Sequence, residues 1–217
     1  MNPATPHPTA HPADDQRPSH RARQPWRGTG AVSEPDLGQA TVGARILLEA
    51  LGIDVDNESL ARTPERMAAA LLELTSPRPF QMTTFPNDGG YDELIVARSI
   101  PVRSLCEHHM LPFVGTAHIG YLPGERILGL SKLARVLEHF ASRPQVQERL
   151  TVQVANWLNA QLAPAGVGVV IEAEHLCMTL RGVEAPGTTT ITSSLLGVLR
   201  DDPRSRAEFL ALTRSPR

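Results

Sequence analysis

No apolar run in this chain approaches the ~18 residues needed to cross a bilayer. Its first residues, Met-Asn-Pro-Ala-Thr-Pro-His-Pro, lack the apolar stretch of a secretory signal. A cytoplasmic protein with no membrane partner is therefore expected. A basic excess is missing too. The formal net charge is −2, which excludes a general nucleic-acid binder, because affinity for a phosphate backbone rests on surplus cations. Aromatic residues are scarce at 4%, yet 41% hydrophobic residues suffice for an ordinary core. Cysteine is nearly absent. The only two are Cys106 and Cys177, and where thiols are kept reduced they read as metal ligands or catalytic groups rather than as a disulfide.

At 217 residues the chain has room for one domain, or one domain and a tail. Residues 1–36 hold seven of the nineteen prolines and almost no aliphatic periodicity. Such a segment cannot bury enough apolar surface to offset the entropy of ordering, so a disordered tail is expected there. Residues 37–217 then form a single domain, with N-terminal helices over 37–79 and a sheet-and-helix core over 93–217. Leu37, Val42, Ile46, Leu47 and Leu51 recur at helical spacing, with Gly52 as a stop. Thr63-Pro64-Glu65-Arg66 reads as a second helix start with Thr63 as N-cap, and Pro77 and Pro79 close it. Residues 80–92 read as a loop around Asn87-Asp88-Gly89-Gly90.

Beyond Glu93 the period changes to that of strands, over 94–102 and 113–121. A helix follows from Ser131 with Leu133, Val136, Leu137 and Phe140 on one face, and a longer one after Pro144 with Val146, Leu150, Val154, Trp157 and Leu158 inward. A strand is expected from Gly166 through Arg181, another over Thr188–Ser194, and a terminal helix from Asp202-Pro203. That order lacks the regular alternation of βαβ units and gives an α+β class.

Cys106 and His109 are spaced C-x-x-H, so one tight turn can aim both at a single point, and zinc is bound by thiolate and imidazole. Read with a period of two, the strand expected over 166–181 puts His175, Cys177 and Arg181 on one face. That is a poor core face and a good wall for a polar cleft. If Cys106, His109 and Cys177 meet, they make a Cys₂His set. Catalytic zinc takes three protein ligands and leaves a place for water, whereas a closed structural site would recruit His108 or His175 as a fourth. Two surplus histidines also suit hydrolysis, because imidazole titrates near neutrality and zinc lowers the pKa of bound water from about 15.7 to about 7. The catalytic form is the expected one; spacing alone leaves the closed form open.

Lys132 and Arg135 stand at i and i+3 on a helix with Ser131 as its N-cap, off the apolar stripe. Alone, such a pair is an ordinary solvated face. With Arg181 and free amides at the helix start, it would suit a polyphosphate. Glu148 sits in the first turn of the next helix, where the dipole favours a carboxylate in any case. A carboxylate can also accept two parallel hydrogen bonds from the N1–H and exocyclic amine of guanine, and spacing does not choose between these roles.

Four runs carry a more specific signal: Ser104-Leu105-Cys106-Glu107-His108-His109, Gly129-Leu130-Ser131-Lys132-Leu133-Ala134-Arg135, Arg143-Pro144-Gln145-Val146-Gln147-Glu148-Arg149-Leu150-Thr151, and His175-Leu176-Cys177-Met178-Thr179-Leu180-Arg181-Gly182. In order and spacing the chain resembles the zinc-dependent GTP cyclohydrolase I family, from about residue 40 to the C-terminus. The resemblance implies conversion of GTP and water to 7,8-dihydroneopterin triphosphate and formate, the entry to folate and pterin synthesis. It implies a tunnelling fold, an antiparallel sheet with helices packed on one side. It also implies a toroidal homodecamer with active sites at subunit interfaces.

Position by position, the resemblance implies one zinc per subunit on Cys106, His109 and Cys177, with His108 and His175 as catalytic proton carriers. Ser131 would assist rearrangement of the ribose, and Gln147 and Glu148 would hold the guanine. Lys132, Arg135 and Arg181 would hold a triphosphate of roughly four negative charges, with Arg66 reaching a neighbour's. One departure is visible: a basic residue that some members place a helical turn past Arg66 is Ala69 here. Two other readings can be set beside this one. A zinc nucleotide deaminase needs a P-C-x-x-C motif, which the chain lacks. A non-catalytic zinc protein would show four protein ligands.

Overall fold

The first helix begins where Asp36 can cap it. Its carboxylate accepts from Gln39 N at 2.9 Å at the head of α1 (Leu37–Ala50). The computed structural model describes residues 34–214, so the tail expected to be disordered lies, up to residue 33, outside the described residues. Past α1, Gly52 takes φ +77°, its N–H bonds Glu49 O, and Ile53 N returns to Leu48 O at 3.0 Å. Those two bonds over a left-handed glycine are a Schellman stop. The apolar residues that announce α1 are not the ones it buries. Ala44 and Leu48 face α2 (Thr63–Thr75), while Val42 and Ile46 are each 59% exposed and Leu51 67%. Thr63, expected as the N-cap of α2, is instead its first residue. Thr63 N already bonds Leu60 O at 2.8 Å, so the preceding turn brings the chain into helical geometry one residue early, with Arg62 at the cap.

The expected loop 80–92 contains a short strand, β1 (Thr84–Pro86). The long strands β2 (Ile95–Cys106) and β3 (Pro112–Leu122) form an antiparallel hairpin. β4 (Arg126–Leu128) pairs with β1 in a separate two-stranded ribbon. α3 (Ser131–Ala141) leads to β5 (Pro144–Gln145), then α4 (Gln147–Leu162) and β6 (Gly166–His175). One helical turn, α5 (Leu176–Thr179), precedes β7 (Thr189–Gly197), α6 (Val198–Asp201) and α7 (Pro203–Thr213). The main sheet runs β5-β2-β3-β6-β7, antiparallel except for the two-residue pairing of β5 with β2.

Period-two burial divides that sheet into two faces. Phe113, Ala117, Ile119 and Tyr121 on β3 and Val167, Val169, Ile171 and Ala173 on β6 point to one side, where α3 and α4 deliver Leu133, Val136, Leu137, Leu150, Val154 and Leu158. Each buried Phe, Leu, Ile or Val among them contributes roughly 1.5–3 kcal/mol of hydrophobic transfer. The other face is not bare, which corrects the expectation of helices on one side only. Phe209 of α7 lies over Gly120 and Gly168, which are paired across β3 and β6. A Cβ at Gly168 would stand 2.6 Å from two of its ring carbons. Both strands have glycine where the ring must lie flat.

Candidate active site

The turn after β2 is built around Cys106. Its N–H bonds Leu111 O at 2.9 Å, and its own carbonyl accepts from His109 N at 3.3 Å and Met110 N at 2.8 Å, with Met110 at φ +54°. The C-x-x-H pair faces one point, with Cys106 Sγ 3.7 Å from His109 Nδ1. Cys177 comes from a different element than expected. β6 ends at His175, and Leu176–Thr179 turn as a single helical turn, so the expected strand through Arg181 does not continue. Ala185 N bonded to Met178 O and Gly182 at φ +69° fold the chain back, which an extended strand would forbid.

The ligating atoms of Cys106, His109 and Cys177 all lie within 4.8 Å of one another. Bonds of ~2.3 Å to sulfur and ~2.0 Å to nitrogen at the tetrahedral angle separate two donors by about 3.5 Å, so this set fits a zinc-type centre. Among the described residues no fourth His, Cys, Asp or Glu joins the group. Both sulfurs are buried and His109 is exposed. Burial, and then the neighbouring Cys106, push the Cys177 thiol up, while Arg181 works against them.

Two further histidines flank the set. His108 Nδ1 is 3.8 Å from Cys106 Sγ, and its side chain is 64% exposed. His175 is half-buried, stacked on Phe113 with ring centroids 4.7 Å apart and planes 12° from parallel. Burial lowers its pKa, opposed by the carboxylate of Glu148, which is therefore near enough to act on it. Gln147, expected beside Glu148 on a base, has other partners: it is 1% exposed, and its Oε1 lies 2.8 Å from His175 Nε2. Glu107 is paired with Arg149 of α4, which holds its carboxyl below the usual carboxylate range, and its Oε1 is 3.9 Å from His108 Nε2. Sequence reading missed the Phe113 stack and the Arg149 pair, because neither is marked by spacing.

Of the four cations expected at the site, Arg181 is near enough to act on the Cys177 thiol. Lys132 is half-exposed, Arg66, Arg135 and Arg181 are exposed, and none makes an ion pair with another described residue. Ser131 is exposed but is not the N-cap. Leu130 holds that place in αR geometry, and Lys132 N already bonds Gly129 O at 2.8 Å, so the helix begins before the serine. Arg66, Ser131, Lys132 and Arg135 make no hydrogen bond or ion pair with the Cys106 centre within this chain. No helix among the described residues is long and apolar enough to cross a membrane.

Comparison with known proteins agrees with this geometry. Residues 40–214 match the family model described as GTP cyclohydrolase I. The chain is 50% identical to the GTP cyclohydrolase 1 of Aquifex aeolicus, over 85% of this chain and 98% of that one. It is 48% identical to that of a Synechococcus strain, covering 91% and 86%. The human GTP cyclohydrolase 1 is 42% identical over 99% of this chain and 90% of its own length.

Proposed function

The chain belongs to the GTP cyclohydrolase I family, and on that premise we propose how its own residues carry the reaction. It is a GTP cyclohydrolase, a hydrolase that opens the imidazole ring of guanine in GTP, releases formate, and rearranges and closes the remainder to 7,8-dihydroneopterin triphosphate. Cys106, His109 and Cys177 would hold one zinc ion per subunit, which when bound supplies a Lewis acid and a water that ionises near neutral pH. The observation that carries this reading is the size of the donor set. Three groups lie within 4.8 Å and no fourth joins them among the described residues, so His108 and His175 stay available for proton transfer.

His175, half-buried beside Phe113, would serve the purine side, taking a proton from the water that attacks C8 and returning one to the departing ring nitrogen. His108, open to solvent, would exchange protons on the outer side. Glu148 would accept from the N1–H and exocyclic amine of guanine, a pattern no other common base presents. Lys132, Arg135 and Arg181 would hold the triphosphate, and Ser131, beside Lys132, would assist the later rearrangement of the ribose.

Much of this machinery is not enclosed by one subunit, since His108, Arg66, Arg135 and Ser131 are all exposed. The reading therefore includes a tunnelling fold closed into a ring of subunits, a homodecamer with each site at an interface and Arg66 serving a neighbour's triphosphate. The uncovered Val42 and Ile46, one turn apart on α1, support such an assembly. Incubating the zinc-loaded protein with GTP tests the reaction. About one formate per GTP consumed, with a pterin fluorescent after oxidation, is expected; ammonia in place of formate, or intact GTP at full zinc occupancy, would refute it.

A further inference from the structure

We propose that Gln147 is a positioning residue that fixes the proton of His175 on Nε2 and leaves Nδ1 as the only nitrogen of that ring able to exchange protons with substrate. The two ends of that amide are chemically distinct. One end of Gln147 lies 3.1 Å from Ile171 O, 2.9 Å from Thr190 O and 3.2 Å from Thr192 Oγ1. Two of these are backbone carbonyls, which can only accept. That end must be the NH₂, because a flip would set a carbonyl oxygen against two others.

The orientation of the amide then dictates the chemistry of the imidazole. Oε1 of Gln147 can only accept, and it stands 2.8 Å from His175 Nε2, so Nε2 carries the hydrogen. A neutral ring has one N–H, and therefore Nδ1 holds the bare lone pair. Rotating the ring by half a turn would bring a carbon to Oε1 and lose the bond, so the same contact selects the ring's orientation. Nδ1 has no hydrogen-bond partner among the described residues and is not among the buried polar atoms left without one.

The amide itself cannot drift. Gln147 is the first residue of α4, it bridges β6 and β7, and its carbonyl accepts from Thr151 Oγ1 at 2.8 Å while Thr151 contacts Thr192 Oγ1 at 2.6 Å. With 1% of its surface exposed and its amide engaged at both ends, the Gln147 side chain is committed to its protein partners. Base recognition falls to Glu148, and Gln147 acts through His175.

This inference rests on the catalytic reading of His175, so the experiment separates the two. The full-length, zinc-loaded protein with ¹⁵N-labelled histidine is examined by solid-state NMR without GTP, the His175 signals being assigned by their loss in His175→Asn. The wild type should show an Nε2–H ring with unprotonated Nδ1, and Gln147→Met a mixture of tautomers. In turnover, Gln147→Met should lower kcat by about 10- to 100-fold with KM for GTP changed less than about threefold and zinc content unchanged. An Nδ1–H tautomer in the wild type overturns the proposal without any variant. A raised KM at unchanged kcat, with the tautomer kept, also overturns it and returns Gln147 to the base. A wild type that binds zinc, shows the Nε2–H ring and yields no formate would instead overturn the catalytic reading and leave the tautomer assignment standing.

Discussion

Arg149, on α4, closes an ion pair onto Glu107, the residue between Cys106 and His108 in the ligand turn. The same guanidinium donates from Nε to Gln145 Oε1 at 3.0 Å, so turn, β5 and helix are tied at one point. Arg149→Met should loosen the turn and weaken zinc binding about tenfold, the scale of losses around metal ligands. It should also change the response to acid. The folded pKa of Glu107 lies below its unfolded value, so the pair's contribution is complete above about pH 4.3 and fades as pH falls through the depressed value. Urea midpoints of wild type and variant should differ at pH 7 and converge at low pH; a constant difference would detach the effect from Glu107.

His108 touches the centre without belonging to its donor set. His108→Ala is expected to keep one zinc per subunit, measured by atomic emission, while formate release falls by at least about a hundredfold. Full activity in that variant would remove His108 from the proton path.

Zinc uptake should depend on pH in a definite direction. Burial and the adjacent Cys106 raise the Cys177 thiol, so binding must displace a proton that becomes harder to remove as pH falls. Affinity is expected to tighten as pH rises from 6 to 8, with protons released on binding. Calorimetric titration in two buffers of different ionisation heat measures both, and a pH-independent affinity would count against thiolate ligation.

Gly168 and Phe209 test the packing that supports β6. Phe209→Ala should cost about 3–5 kcal/mol through the cavity it leaves. Gly168→Ala should cost about 1–3 kcal/mol by driving a methyl into the ring. Denaturant titration reads both, and an unaffected Gly168→Ala would mean the ring moves aside freely.

Ile46 lies in the open stripe of α1. If that stripe joins subunits into sites shared at their interfaces, as proposed, Ile46→Asp should reduce the assembly seen by sedimentation and take formate release down with it. A fully assembled Ile46→Asp protein would free the stripe from that role.

What could be read from the chain alone divides along a physical line. Cys106 and His109 were legible because a three-residue spacing constrains geometry locally. The apolar stripes of α3 and α4 were legible because burial repeats with the helix. Cys177 was placed beside the right partners on the wrong backbone: nothing in Leu176-Cys177-Met178-Thr179 marks where an extended run gives way to a helical turn, and the fold-back depends on Gly182 and a bond from Ala185 to Met178. β1 and β4 are three residues each, too short for any period to register. Gln147 was named from the sequence as a guanine contact, but its hydrogen bonds and the Phe113 stack were out of reach, since their partners lie on strands brought in from elsewhere.

Gln145 accepts from Glu107 N at 3.0 Å through the two-residue pairing of β5 with β2. The Cys106 turn and the start of α4 are therefore riveted together by backbone, with no hinge between the part that would face the purine and the part that would grip an ion. Spacing between those two ends is held by ladder hydrogen bonds and the short run from Gln145 to α4 rather than left to a long loop. Nucleotides altered on the base would meet an unyielding gauge, whereas the long solvated side chains proposed to hold the triphosphate could adjust their reach.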